Sequence, residues 1–384
     1  MTIKDVRKAQ PRFNVAYCRK LNLQKWGEGN LYPQELRNVI NSSRNGRTCV
    51  DRKAAYIEGN GLTSAVLSAF ICNIAGDAVD DVLHSIAEDV AYYDAFALHV
   101  NYDVLGRIVG VAHVPFERCR LAEPDSYGVV REVLLHPDWL GETTRNGKRV
   151  RLTEEYVERF PVFDPRPAVV TREIELAGGI DEYRGQIAYI SRNGRNCYTM
   201  PIADVIIPDM STDEGLSTVS HRNVRCNFTP AGMLVLKRGQ GANNENDDTA
   251  EQVARLQGDE KTGKILVAEI DTPEDRPEFV SFSGENYDKA FTETAKDVVD
   301  NIYAVFNQEG FARLRTGSIG FTGDLINDVK VEYAQQVKRY QRMISRILKA
   351  VFENWAPGAP YVSAADVEIE PLYKSANETT DSTL

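Results

Sequence analysis

The 384-residue chain lacks the features of a membrane or secreted protein. No run approaches the ~18 apolar residues that span a bilayer. The first residues, MTIKDVRK, contain no apolar stretch of a signal peptide, so neither insertion nor secretion is expected. The cysteines lie singly, without a C-x-x-C spacing, at Cys18, Cys49, Cys72, Cys119, Cys197 and Cys226. This pattern argues against a disulfide framework or a zinc site and predicts free thiols in a reducing compartment.

The sequence also has little that indicates catalysis. Its five histidines show no metal-ligand spacing, and no G-x-S-x-G nucleophile motif is present. The segment GDEKTGKI (258–265) differs from a phosphate-binding P-loop because Ile265 replaces the hydroxyl residue and the segment precedes a strand. Asn244, Asn246 and Asp248 alternate like calcium ligands, but the required glycine and bidentate glutamate are missing. We therefore predict no enzyme activity, no metal and no cofactor.

The formal net charge of −11 excludes a protein that grips nucleic acid over its whole surface. It leaves room for contact at a few basic points, because a surface along which a polyanion slides should repel it weakly nearly everywhere.

Two strongly amphipathic segments, 285–306 and 325–355, predict long helices, the first about 30 Å long. Between them lies the glycine-rich, acid-free stretch GFARLRTGSIGFTG (310–323), which predicts a mobile loop carrying Arg313 and Arg315. The second helix also carries a basic stripe, which is typical of a solvated face, at Lys338, Arg342, Arg346 and Lys349.

The rest of the chain predicts an α+β fold. Short helices are expected over 35–41 and 47–56, a longer helix over 77–94, a hairpin over 95–114, and strands over 129–136 and 186–190. Prolines in 137–183 predict a loop-rich segment without a regular helix. The sequence STDE (211–214) predicts a capping box that begins the next helix. A small αβ unit follows over 228–282, with strands over 233–236 and 264–270 and a short helix over 249–256.

Several segments resemble portal proteins of tailed bacteriophages with a siphovirus-type head. They occur in the family's order over about 26–352: WGEGNLYP (26–33), NSS (41–43), YIEGNGL (56–62), AFALHVNY (95–102), GRI (106–108), HVPFERCR (113–120), NFTPAGML (227–234) and TGKIL (262–266).

The resemblance implies a portal-like fold that assembles as a ring, usually dodecameric, at one capsid vertex. Because the chain after residue 355 is short, the helical crown is expected to be reduced. The implied parts are an N-terminal arm (1–32), a first wing part (33–208), stem helix 1 (209–227), a clip (228–282), stem helix 2 (283–306), a tunnel loop (307–324), a long wing helix (325–356) and a reduced crown or disordered tail (357–384).

The implied role is a channel for packaging and ejection of double-stranded DNA. Implied partners are the terminase large subunit, a head-tail adaptor, and the major capsid and scaffolding proteins, with assembly in the host cytoplasm and no membrane. The expected DNA-tunnel contacts are Arg313, Arg315 and Lys330. The expected clip docking residues are Asn243, Asn244, Glu245, Asp247 and Asp248.

Three other classes stay open from the sequence. Another head structural protein, such as a minor capsid or adaptor subunit, would share the acidity without forming a closed ring with a channel. A nucleic-acid enzyme and a cellular scaffold built on the same helices are the others. Pairing of Arg313 and Arg315 with Asp324 or Asp328 is an equally good alternative to DNA contact.

Overall fold

The structure, a computed structural model, describes residues 16–27, 29–139, 144–145, 148–149, 156–192, 198–225, 233–237, 266–270, 287–317 and 323–374. The chain divides into two compact units: the first comprises Met1–Met210 and Asp300–Leu384, and the second comprises Ser211–Val299. Helices and small sheets are mixed, which confirms the predicted α+β class.

The first unit begins with helices joined by very short connections. These are α1 (Tyr32–Ser42), α2 (Arg44–Glu58), α3 (Ala65–Ser68) and α4 (Val79–Tyr93). Only Ser43 separates α1 from α2, and its hydroxyl accepts a hydrogen bond from the Gly46 N–H at 3.0 Å. Such an N-cap satisfies a backbone donor that the first helical turn leaves unpaired. The two helices predicted over 35–41 and 47–56 are therefore joined by a single capping residue.

Two three-stranded sheets follow. The predicted hairpin is confirmed as β3 (Ala95–Tyr102) and β4 (Ile108–Val114), and β10 (Gln186–Ser191) completes this antiparallel sheet in the order β10-β3-β4. The second sheet has the order β5-β6-β9, formed by Cys119–Leu121, Glu132–Leu135 and Glu158–Pro161. Two-residue strands pair as β1 (Tyr17–Cys18) with β2 (Leu23–Gln24), and as β7 (Thr144–Arg145) with β8 (Lys148–Arg149).

A helix, α5 (Pro167–Ala177), lies in the segment where prolines had suggested that no regular helix could form. That prediction is wrong because Pro167 occupies the first turn of the helix. A proline there removes only an N–H that would have no partner, and its φ angle already suits a helix.

The first unit buries one large core between helices and the β10-β3-β4 sheet. Leu83, Ile86 and Val90 of α4 are fully buried, as are Phe96 and Leu98 of β3. The same core includes Ile344 and Leu348 of the last long helix. Apolar packing thus holds together β3 and the last long helix, which are more than two hundred residues apart in the sequence. Burial of apolar surface is the main favourable term in folding.

The chain passes through the second unit between α6 (Ile207–Arg225) and α7 (Tyr287–Val305). The capping-box prediction is wrong, because α6 begins before it and Ser211 lies inside the helix. Within the second unit β11 (Met233–Lys237) pairs in parallel with β12 (Leu266–Ile270), which confirms the two predicted strands. The helix predicted over 249–256 lies outside the described residues.

After α7 the chain forms α8 (Glu309–Thr316) and then α9 (Gly323–Phe352). The apolar positions of α9 are buried at Tyr333, Val337, Tyr340, Ile344 and Leu348, as their helical spacing predicts.

Both ends of the first unit contain buried residues. In the described part of the predicted N-terminal arm (1–32), Leu23 and Trp26 are fully buried. Residues 357–374 are not a disordered tail. Their residues Val367 and Ile369 are buried, and Leu62 bridges Ile369 in an antiparallel pair. Residues 1–15 and 375–384 lie outside the described part of the chain.

Candidate functional site

The segment predicted as a tunnel loop is helical over most of its described length. Arg313 and Arg315 lie in α8, not in a flexible loop. The helix ends at Gly317, whose φ of 70° is left-handed and whose N–H bonds to the carbonyl oxygens of Arg313 and Leu314. Glycine favours this C-terminal cap because it lacks a Cβ. The abundance of glycine therefore led to a wrong prediction of a mobile loop over 309–316, which is helical. Residues 318–322 lie outside the described residues.

The junction between α7 and α8 is anchored by a buried amide. Gln308 Nε2 donates to the Cys49 carbonyl and to the Tyr333 hydroxyl, both at 2.8 Å. Its Oε1 accepts from Arg52 Nη1 at 2.7 Å. The amide thus ties the start of α8 to α2 and α9, and burial raises the pKa of the bonded Tyr333 phenol.

Aromatic packing and one glycine hold α8 against its neighbours. Phe311 forms an edge contact with Tyr333 at 5.6 Å between ring centroids, and the Arg52 guanidinium lies 4.4 Å from the Phe311 ring centroid. A Cβ placed on Gly310 would lie 2.7 Å from Cγ1 of Val329 in α9. Such a close approach admits glycine and no larger residue without movement. These contacts make α8 a docked helix.

The two arginines of α8 have different surroundings. Arg315 Nη1 donates to Asn45 Oδ1 at 3.1 Å, and its guanidinium lies 5.4 Å from the Tyr303 ring centroid. Arg313 is exposed, and its side chain has no hydrogen-bond or ion-pair partner within the described residues. Neither arginine pairs with Asp324 or Asp328 in that part of the chain. Arg313 is therefore the freer cation of the pair.

Lys330, the third predicted DNA contact, lies on α9 and is half-buried. Its Nζ atom lies 4.9 Å from the ring centroid of Tyr373, in the C-terminal segment that packs back onto the unit. A cation over an aromatic face is attracted by the ring quadrupole. Lys330 thus has a local partner of its own.

The five predicted clip docking residues, Asn243, Asn244, Glu245, Asp247 and Asp248, lie outside the described residues, as do the P-loop-like and calcium-like segments. Within the described residues no cluster of metal-ligating side chains occurs and no helix is long and apolar enough to span a membrane.

Two of the segments that carried the family resemblance, 26–33 and 113–120, meet in one buried cluster. Arg120 is fully buried, and its Nε donates to Asn30 Oδ1 at 2.8 Å, which also accepts from the Trp26 N–H at 2.9 Å. Trp26 stacks on Tyr198 at 4.5 Å between centroids. Burial lowers the pKa of Arg120 to about 10, although carbonyl oxygens surround its guanidinium. These motif residues are structural, and they join the first strands to β5.

Sequence reasoning identified the basic stripe of α9 but missed Arg192 and Arg339, which extend it. Arg192 follows β10 and Arg339 lies on α9, and both line one cavity of about 370 Å³. Only the fold brings them together, because they are far apart in the chain.

No protein-family model matches the sequence, and no curated protein matches it. Among solved structures the chain is similar to the neck of an empty gene transfer agent (GTA) particle, with a TM-score of 0.49 and 13% identity over 88% of this chain and 86% of that one. It is similar to the neck of a native GTA particle computed with C12 symmetry, with a TM-score of 0.46 and 12% identity over 88% and 87%. An HK97 family phage portal protein from Corynebacterium diphtheriae gives a TM-score of 0.33 and 11% identity over 75% and 84%.

Proposed function

We propose that the chain is a portal subunit, a non-enzymatic component of a phage-type head-to-tail connector that forms a ring around a DNA channel. The observation that carries the proposal is the order of its elements. The chain leaves the first unit through α6, forms the small unit with β11 and β12, returns through α7, and continues into α8 and the long α9. This order matches the wing, stem, clip, stem, tunnel segment and wing helix that the sequence motifs imply.

Ring formation is supported by the exposure of the two helices that would form the stem. On α6, residues 214–215 and 217–221 are exposed, including Val219 at 37%. On α7, Glu293, Lys296 and Asp297 are exposed as well. Long helices that are exposed in a single chain can pack against neighbouring copies of it. Identical subunits that pack in this way most often form a closed ring with cyclic symmetry. A dodecamer is the expected stoichiometry.

The channel contact in this proposal is made first by Arg313. It is exposed and free of partners within the described residues, whereas Arg315 and Lys330 have local contacts. Duplex DNA carries one charge per about 1.7 Å, so a strongly basic channel would hold it tightly and stall its movement. An acidic chain with isolated cations at the constriction avoids this.

The proposal places terminase large subunit and head-tail adaptor docking at Asn243, Asn244, Glu245, Asp247 and Asp248. It places the ring at a capsid vertex of the virion, in contact with the major capsid and scaffolding proteins, after assembly in the host cytoplasm. Deleting residues 241–248 should leave rings intact while weakening capture of the cognate terminase or adaptor. Loss of rings on this deletion would make the segment structural.

Imaging the purified protein tests the proposal. Mass photometry and negative-stain electron microscopy should show closed rings with a central channel wide enough for duplex DNA. A purely monomeric species at high protein concentration would contradict it, and oligomers without a channel would favour a different head structural protein.

A substitution on α6 sharpens the test. Val219→Glu places a charge where the apolar contact is expected and should reduce the ring fraction at least tenfold, whereas Val219→Ile should preserve it. Because the position is exposed in a single chain, circular dichroism should show the same helix content for both variants. Rings that tolerate Val219→Glu would remove α6 from the interface.

A further inference from the structure

The second half of α9 concentrates positive charge in an acidic protein. Residues 338–352 contain five cations and no aspartate or glutamate, while the whole chain has a net charge of −11. The cations are Lys338, Arg339, Arg342, Arg346 and Lys349. Such a local reversal of sign marks a surface that attracts anions.

Four of these cations line a groove, so they do not simply project into solvent from a convex helix face. The groove has a volume of about 450 Å³ and lies between α9 and the C-terminal segment that includes Glu368 and Pro371. Lys338, Arg342, Arg346 and Lys349 are all on its α9 wall. Concave walls of low dielectric focus the field of such charges.

Three of the groove cations, Arg342, Arg346 and Lys349, are poorly neutralised by the protein. Arg342 and Arg346 form no ion pair within the described residues, and Lys349 reaches only Glu353, at 3.7 Å. Lys338 has an interaction of its own, and Glu368 is the one carboxylate among the groove-lining residues. The groove therefore keeps most of its positive charge for an external partner.

The basic wall is held in a fixed orientation. On the opposite side of α9, Ile344 and Leu348 are buried in the core. Gln341 Nε2 donates to the Tyr56 carbonyl at 3.1 Å, which ties the helix to α2. The helix cannot roll without breaking these contacts, so its cations are pre-aligned.

The positive surface continues beyond the groove. Arg346 also lines the cavity of about 370 Å³ that contains Arg192 and Arg339. The combined surface is larger than a single inorganic phosphate needs. From position 338 to 349, α9 rises about 17 Å, a length over which duplex DNA carries roughly ten charges.

We propose that this basic groove binds the phosphate backbone of duplex DNA, as a second DNA contact separate from the arginines of α8. The choice of DNA over another polyanion rests on the proposed portal function. The observations of the charge, the groove and the fixed helix are independent of that function. Binding is independent of base sequence, because only phosphates are contacted.

The test uses the full-length protein and fluorescence anisotropy with a fluorescein-labelled 20-base-pair duplex between 50 and 300 mM NaCl. The variant Lys338→Gln, Arg342→Gln, Arg346→Gln, Lys349→Gln removes the four groove cations while keeping good helix formers. Its control is Arg107→Gln, Arg131→Gln, Arg166→Gln, Arg184→Gln, which changes the net charge equally at surface residues that pair with acids and do not line the groove.

The wild-type protein should bind, and the groove variant should lose about 3 to 4 from the slope of log affinity against log salt, roughly 0.9 for each phosphate contact. The control should bind within threefold of wild type. Equal losses in both variants, unchanged binding by the groove variant, or no wild-type binding would each overturn the proposal. If the fourfold groove variant does not fold, the single variants Arg342→Gln and Arg346→Gln replace it. Each of them should lower the slope of log affinity against log salt by about 1.

Polyglutamate identifies the partner class. If it displaces the duplex at equal charge concentration, the groove suits an acidic protein segment and the DNA proposal fails. The outcome is also separable from the portal proposal. Rings without groove-dependent binding would overturn only this inference, and monomers with groove-dependent binding would overturn only the proposed function.

Discussion

The Nζ atom of Lys53 lies 2.6 Å from Oδ1 of Asp94, and both side chains are buried. Asp94 also accepts the Ile202 N–H at 3.1 Å, and it ends α4 with a left-handed φ of 50°. Burial by itself would raise the pKa of Asp94, but the charge and hydrogen bond of Lys53 outweigh it and lower that pKa. The pair joins α2 to the turn between α4 and β3.

Asp94→Asn should lower the free energy of unfolding by roughly 3 to 5 kcal/mol, because it leaves the buried Lys53 charge without its partner. Chemical denaturation at pH 7 measures this. Asp125→Asn is the control, since Asp125 is paired with an exposed arginine at the surface. Equal losses in the two variants would contradict a special role for the buried pair.

The same pair predicts a pH dependence. Since folding lowers the pKa of Asp94, its contribution to stability is present above the ordinary value of 3.8 and is lost as the pH falls through the lower folded value. The stability difference between wild type and Asp94→Asn should therefore be largest near neutral pH and should shrink below about pH 4. A difference that grows on acidification would show that the sign is wrong.

Gly59→Ala should destabilise the first unit far more than Gly76→Ala. Both glycines have positive φ, 64° and 91°, so an added Cβ strains both backbones. At Gly59 the Cβ would also lie 2.1 Å from the Glu370 carbonyl oxygen, whereas at Gly76 nothing lies within 4 Å. We expect about 1 kcal/mol for Gly76→Ala and at least 2 kcal/mol more for Gly59→Ala, measured by denaturation. Similar losses would mean that the C-terminal segment can move away at little cost.

Gly310→Ala should separate α8 from α9 and cost about 1 to 3 kcal/mol, because the new methyl group would meet Val329 at 2.7 Å. Val329→Ala in the same chain should recover part of the loss, and a double-mutant cycle measures that coupling. Gly323→Ala, with no atom within 4 Å of the added Cβ, is the control. Absence of coupling would indicate that the two helices adjust independently.

Arg313→Ala and Arg315→Ala should have different effects. Arg315→Ala removes the bond to Asn45 and the contact with Tyr303, and should lower stability by roughly 0.5 to 1.5 kcal/mol. Arg313→Ala should leave stability unchanged. With both replaced, rings should persist while DNA packaging or retention falls. Normal packaging and retention with intact rings would exclude these arginines as channel contacts.

Local pattern predicted the regular elements well. The hairpin of β3 and β4 was found at almost its predicted bounds, although β3 is buried on both faces over Ala95–Leu98 and alternates only in its second half. The apolar stripe of α9 was found in the same way. Pro167 and Gly310 led to wrong predictions of loop structure. Proline is favourable in the first turn of a helix, and glycine allows two helices to approach closely.

The site depended on contacts that local pattern cannot reveal. Nothing in the sequence near Gln308 indicates that Arg52, Cys49 and Tyr333 will surround its amide. Likewise, Trp26 and Arg120 read as scattered motif residues until the fold brings them to Asn30. Long-range polar contacts of this kind follow from the tertiary structure, so the helix carrying Arg313 and Arg315 was mistaken for a loop.

The hydrogen bond from Gln341 to the Ile57 carbonyl joins residues 284 positions apart, and it bears on how the chain folds during synthesis. At 5 to 20 residues per second, roughly 15 to 55 seconds pass between the synthesis of α2 and that of its partner α9. During this interval the apolar face of α2 that packs on α9 has no partner, because α9 has not yet been made. The second unit is contiguous in sequence and can form without waiting for α9. A nascent chain should therefore expose this apolar face of α2 for most of its translation, and we expect chaperones to bind residues 44–58 early.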